Sequence, residues 1–204
     1  MLICVTQRKL CKEDFLQRIH QLVQTRPYAV MLREKDLDLP AYERLARKVK
    51  EICDRHGVLL IIHRRTAVAE QLKLTHLQLS MPDLRVYKKG DHALLVGASV
   101  HSVEEAEEAQ ALGAAYIVAG HIYATDCKKD LPSKGLSYLR QVCQAVTLPV
   151  FAIGGVTGNN AKEILESGAK GFCVMSEAMT CQDPEKLVRT FTEVKFLGSQ
   201  VTVL

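Results

Sequence analysis

No two of the seven cysteines are spaced Cys-x-x-Cys, so the common zinc and dithiol motifs have no support. The number is odd, and Cys4 and Cys173 fall inside apolar runs, which suits reduced thiols in a cytoplasmic protein. No apolar stretch approaches the length of a membrane span. The strand-like run Leu2-Ile3-Cys4-Val5 begins at once and leaves no room for a signal peptide. Basic stripes are missing as well. The 27 Lys and Arg against 23 acids give only +4, spread over the chain, which suits a small anionic ligand and not a nucleic acid. Linkers, low-complexity tracts and repeats are absent, so all 204 residues are expected to form one domain, with the tail after about residue 197 loosely held.

What is present is an alternation. Short apolar runs, mostly apolar on both faces as in a parallel sheet, occur at 2–6, 28–33, 58–62, 76–79, 94–98, 116–119, 150–153 and 171–175. Longer amphipathic segments separate them. Ser102-Val103-Glu104-Glu105 reads as a capping box, with Gly113 as the stop. Asp183-Pro184 reads as a cap followed by proline in the first turn, with Leu187, Val188, Phe191 and Val194 as the buried stripe. Pro40 opens a helix that runs to Gly57, and Asn159 or Asn160 opens one that ends at Gly168. The segment 82–89 is poorly marked and reads as irregular. Eight strand–helix units predict a compact (β/α)8 TIM barrel. An open doubly wound sheet is the alternative, disfavoured because no Gly-x-Gly-x-x-Gly follows the first strand.

In such a barrel the chemistry lies where strands end. That rule singles out Arg33 and Lys35, His63, Gln78, Ser99 and His101, His121, Gly154-Gly155 and Met175-Ser176. The two glycines let backbone amides approach a phosphate, and the loops after strands seven and eight are a recurrent phosphate site; a double glycine also simply makes a tight turn. His121, followed by Thr125 and Lys128 in one loop, is the candidate acid/base because imidazole titrates near neutrality. His63 and His101 are its rivals. Arg33 and Lys35 can meet an anion, Arg33 with a bidentate fork, or can be a solvated charged loop. Cys127 beside Lys128 has no evident partner for catalysis.

At these residues the chain resembles the thiamine phosphate synthase superfamily over nearly its whole length. The resemblance is carried by Leu32-Arg33-Glu34-Lys35-Asp36, Gly97-Ala98-Ser99-Val100-His101-Ser102, Ala152-Ile153-Gly154-Gly155-Val156 and Val174-Met175-Ser176. One branch joins a pyrimidine pyrophosphate to thiazole phosphate with magnesium. Its third strand usually reads Ile-Asn-Asp-Arg, with the aspartate on the metal; here the positions read Ile62-His63-Arg64-Arg65. Its Gly-Gln-Glu-Asp reads here as Ser80-Met81-Pro82-Asp83, and its Gly-Pro-Ile-Phe-x-Thr has His121 in place of proline. The segment from Gly120 to Lys129, with Gln78-Leu79, resembles the TenI-type thiazole tautomerases instead.

The resemblance therefore implies an isomerase that aromatises a carboxythiazole phosphate tautomer through His121. It would need no cofactor and no metal. Gly154, Gly155 and Ser176 would hold the phosphate, and Arg33 or Lys35 the carboxylate. Thr125 and Lys128 are shared with the synthase pattern and do not separate the branches. The alternatives are a magnesium-dependent synthase and a non-catalytic thiazole or thiamine phosphate binder. The implied partner is a small phosphorylated heterocycle, and the resemblance suggests a homo-oligomer of two or more chains.

Overall fold

A computed structural model describes residues 1–90, 94–125 and 132–198. Eight parallel strands close in chain order into a barrel: β1 (Leu2–Val5), β2 (Ala29–Leu32), β3 (Leu59–His63), β4 (His76–Ser80), β5 (Leu95–Val100), β6 (Tyr116–Gly120), β7 (Val150–Ile153) and β8 (Gly171–Val174). β8 pairs back onto β1 through Leu2↔Phe172 and Cys4↔Val174, so no edge is left open. The helices are α1 (Phe15–Gln24), α2 (Leu39–His56), α3 (Thr66–Gln71), α4 (Met81–Val86), α5 (Val103–Ala111), α6 (Gly135–Ala145), α7 (Ala161–Glu166), α8 (Ser176–Thr180) and α9 (Pro184–Gly198). The (β/α)8 barrel expected from the alternation is the fold observed.

Period-two alternation divides the buried residues into two sets. Ile3, Val5, Ala29, Met31, Ile61, Tyr116, Val118, Phe151 and Cys173 fill the barrel interior. Their neighbours, such as Leu2, Val30, Ile62, Leu77, Ala119 and Phe172, pack outward against the helices. Each strand is short and aliphatic because both its faces are covered.

Local signals start and stop the helices. Asp38 caps α2 by accepting from the Ala41 amide at 2.8 Å, and Gly57 ends it in the left-handed region at φ 66°. Tyr42 on α2 donates its hydroxyl to the Leu32 carbonyl at 2.6 Å, pinning the helix to the end of β2. Asp183 caps α9 through the Lys186 amide at 2.9 Å. Ser102 caps α5, but the box is not reciprocal, since the Glu105 carboxylate takes the His101 amide at 2.6 Å. The segment read as irregular holds a regular turn, α4, with Pro82 in its first turn where a missing N–H costs nothing. The expectation for the tail after about residue 197 falls almost wholly outside the described residues.

Candidate active site at the carboxyl ends of the strands

Alternation carries the interior parity to the rim. Ala29 and Met31 face inward, so Arg33 continues that row at the mouth. On the next strands the same parity reaches His63, then Gln78 and Ser80, then Ser99. His63 lies opposite Gln78, and Ser80 opposite Ser99. The Gln78 amide donates to the Ser99 hydroxyl at 2.9 Å, tying β4 to β5. His63, Gln78 and Ser99 thus stand at the same end of the barrel.

The rim of β1 and β2 is held by a group the sequence reading passed over. Glu34 is buried, and its carboxylate accepts from the Thr6 hydroxyl at 2.7 Å, the Arg8 amide at 3.0 Å and the Arg8 guanidinium at 3.2 Å. Arg8 in turn forks onto Asp36 at 2.5 and 2.7 Å. That fork holds the Asp36 carboxyl well below the usual carboxylate range. The Thr6 hydroxyl also accepts from the Arg33 amide at 3.0 Å. The Arg33 side chain donates to Gln7 at 3.3 Å and touches the Met175 sulfur at 3.8 Å, so the ends of β2 and β8 meet across β1. Lys35 is exposed beside them. Only the charge pattern Arg33-Glu34-Lys35-Asp36 hinted at this network.

Arg64, one residue beyond β3, occupies the left-handed region at φ 65°, which costs a non-glycine residue about 1–2 kcal/mol. Its amide donates to the Gln78 carbonyl at 2.9 Å. Its guanidinium grips Asp83 at two points, Nε to Oδ2 at 2.6 Å and Nη2 to Oδ1 at 2.9 Å. Ser80 hydrogen-bonds Asp83 from behind. Burial resists ionisation of Asp83, but the bonds from Arg64 and Ser80 prevail and lower its pKa. Burial, reinforced by repulsion from Arg33, Lys35 and Arg64, pushes the neighbouring His63 down to about 3. His63 is therefore neutral at physiological pH, inside a cationic rim.

His121 follows β6 and is buried, 5% exposed. The loop it opens is laced to β7, with Ile122 donating to Ile153 and Tyr123 to Gly154, both at 2.9 Å. His101 bonds the Gly120 carbonyl through Nδ1 at 2.7 Å, placing its ring beside the end of β6. Both turn glycines have positive φ, 98° at Gly154 and 63° at Gly155. A Cβ on Gly154 would lie 2.4 Å from the His121 Cβ, and one on Gly155 would lie 2.6 Å from the Ala124 oxygen. Close packing of the two loops is thus one reason for glycine here, independent of any anion. Asn160 braces the turn by donating to the Gly155 carbonyl at 2.9 Å. Ile153 pairs with Cys173, so Gly154-Gly155 and Met175-Ser176 extend from adjacent strands. Ser176 opens α8, and Thr125 is partly buried in the loop after β6. Lys128 and Cys127 lie outside the described residues.

Residues 2–178 match the family model described as "Thiamine monophosphate synthase". A thiamine-phosphate synthase of Fusobacterium nucleatum is 34% identical, over 90% of this chain and 91% of its own length. One of Clostridium acetobutylicum is 30% identical over 95% and 93%. Among solved structures, a thiamine phosphate pyrophosphorylase from Pyrococcus furiosus superposes with a TM-score of 0.82 at 27% identity, covering 95% and 94% of the two chains. These similarities correct the expectation of a tautomerase, and with it that of an isomerase. The relatives bear the synthase name and point to a transferase. The local departures at Arg64 and His121, and the likeness of segment 120–129 and Gln78-Leu79 to the tautomerases, weigh less than the similarity spread over the whole chain.

Proposed function

Because the chain belongs to the thiamine monophosphate synthase family, we propose that it joins a pyrimidine pyrophosphate to a thiazole phosphate, releasing pyrophosphate. The carbon–oxygen bond to pyrophosphate breaks, the leaving group keeps the electron pair, and that carbon bonds to the thiazole nitrogen. The observation that carries the reading is the 34% identity spread over nine-tenths of both chains.

The strand ends supply the parts such a coupling needs. Gly154, Gly155, Met175 and Ser176, at the ends of adjacent strands, are proposed to hold the thiazole phosphate, with Thr125 alongside. Arg33 and Lys35 are proposed to meet the pyrophosphate, Arg33 held at its amide by Thr6 and at its side chain by Gln7. His121, packed against Gly154, is proposed to position the phosphorylated substrate by hydrogen bonding. Binding both substrates at the same rim converts the reaction to an oriented, effectively unimolecular one.

The family resemblance implies magnesium, and the residues present do not fit it. Magnesium takes oxygen ligands, yet the position of its aspartate holds Arg64. The surviving acid, Asp83, has both carboxylate oxygens engaged by that guanidinium. The test is to incubate the protein with both substrates and follow thiamine phosphate formation. Product requiring both substrates supports the reading; no coupling, with or without magnesium, overturns it.

A further inference from the structure

We propose that Arg64, clamped by Asp83, is a built-in cation standing where a divalent metal would be bound, so that the β2–β3 rim binds the pyrophosphate group without metal. The proposal rests on the coupling reading above for its ligand, and on geometry for its mechanism.

Three observations converge on Arg64. First, its side chain is placed at several points. The backbone continues the β3–β4 ladder through the bond to Gln78, and the guanidinium is held by a two-point pair with Asp83. Asp83 is itself held by Ser80. A guanidinium so fixed loses little conformational entropy when an anion arrives. Second, the pair engages only part of its five-donor fork, and the Arg64 side chain is 50% exposed at the mouth. Third, Arg64 adopts a backbone conformation that costs a non-glycine residue energy, and such outliers concentrate at functional sites.

The surroundings favour an anion over a cation. Arg33 and Lys35 project from the neighbouring strand end, and with Arg64 they act together on His63, which stays uncharged between them. Among the described residues no cluster of three or more His, Cys, Asp or Glu side chains could hold a metal ion. Asp83 is already occupied, and moving it to a metal would leave Arg64 without its clamp. A pyrophosphate carries several oxygens with negative charge, and guanidinium forks match them in pairs. Arg64 can therefore take phosphoryl oxygens directly, with its charge present at every pH at which the protein folds.

The test is titration of inorganic pyrophosphate into the full chain by calorimetry, once in chelator and once in excess magnesium. Binding in chelator at an affinity within about threefold of that in magnesium is expected. Binding seen only with magnesium would overturn the proposal while leaving the coupling reading intact. Metal-independent binding without any coupling would do the reverse. Two variants suit the left-handed backbone. Arg64→Gly is expected to weaken binding in chelator by about tenfold or more, the loss of a charge-assisted contact. Arg64→Asp places a second carboxylate beside Asp83 and is expected to make the remaining binding depend on magnesium. Unchanged pyrophosphate affinity in chelator for both folded variants would also overturn the proposal.

Discussion

Gly154 approaches His121 so closely that a β-carbon on the glycine would sit 2.4 Å from the histidine's Cβ and 2.8 Å from its Cα. The turn after β7 and the loop after β6 therefore form one packed unit. The Gly154-Gly155 turn and the buried imidazole cannot be altered independently.

Gly154→Ala should accordingly destabilise the fold by about 1–3 kcal/mol, from overpacking and from a positive φ that alanine resists. Urea unfolding measures this. Substrate affinity should fall in the same variant, because His121 and the turn amides both move. A variant of wild-type stability and affinity would show that the two loops separate freely.

Glu34 carries the β1–β2 rim. Glu34→Gln keeps the shape but sets an amide against the donors of Thr6 and Arg8. A loss of about 1–3 kcal/mol is expected in chemical denaturation, the usual cost of an unsatisfied buried polar group. Binding of the anionic substrate should weaken too, since Thr6 links Glu34 to the Arg33 amide.

Ser176→Ala tests the proposed phosphate anchor. A hydrogen bond to a charged group contributes about 1.5–3 kcal/mol, so KM for the thiazole phosphate should rise about tenfold or more with the fold unchanged. An unaltered KM would place the phosphate elsewhere.

The strands were legible almost to the residue because both faces of each are buried, leaving short aliphatic runs between polar helices. The expected run 150–153 coincides with the observed Val150–Ile153, and β5 extends furthest beyond its expected end, to Val100. α4 was not read as regular because six residues give a helical period too little length to show. Arg33, His63, Gln78, Ser99 and Gly154 are singled out in the sequence by their expected place at strand ends, and the barrel puts them at that end. The Arg64–Asp83 pair is visible in the sequence only as one departure from a pattern, at Arg64, and one retained acid, at Asp83. Nineteen residues of separation hide a salt bridge that a barrel rim closes. Glu34 escaped notice because a carboxylate in a charged run reads as solvated, and nothing local says that Thr6 and Arg8 cover it.

His63 gives a signed pH dependence. Its folded pKa is pushed down to about 3, first by burial and then by Arg33, Lys35 and Arg64, against an opposing pull from Asp83. The unfolded chain takes up that proton below about pH 6.5, the folded one only near 3. Between those values the unfolded state binds more protons, so stability falls as pH drops, by up to about 1.4 kcal/mol per unit. Wild type and His63→Gln compared by denaturant unfolding from pH 7 to 4 should diverge with that sign. Parallel curves would mean that His63 titrates normally in the fold.

The most direct test follows product and pyrophosphate together when purified protein meets both substrates. One pyrophosphate is expected for each thiamine phosphate formed, with neither released from the pyrimidine pyrophosphate or the thiazole phosphate alone. Pyrophosphate release without thiamine phosphate, or no turnover of the paired substrates, would contradict the assignment of this barrel as a coupling enzyme.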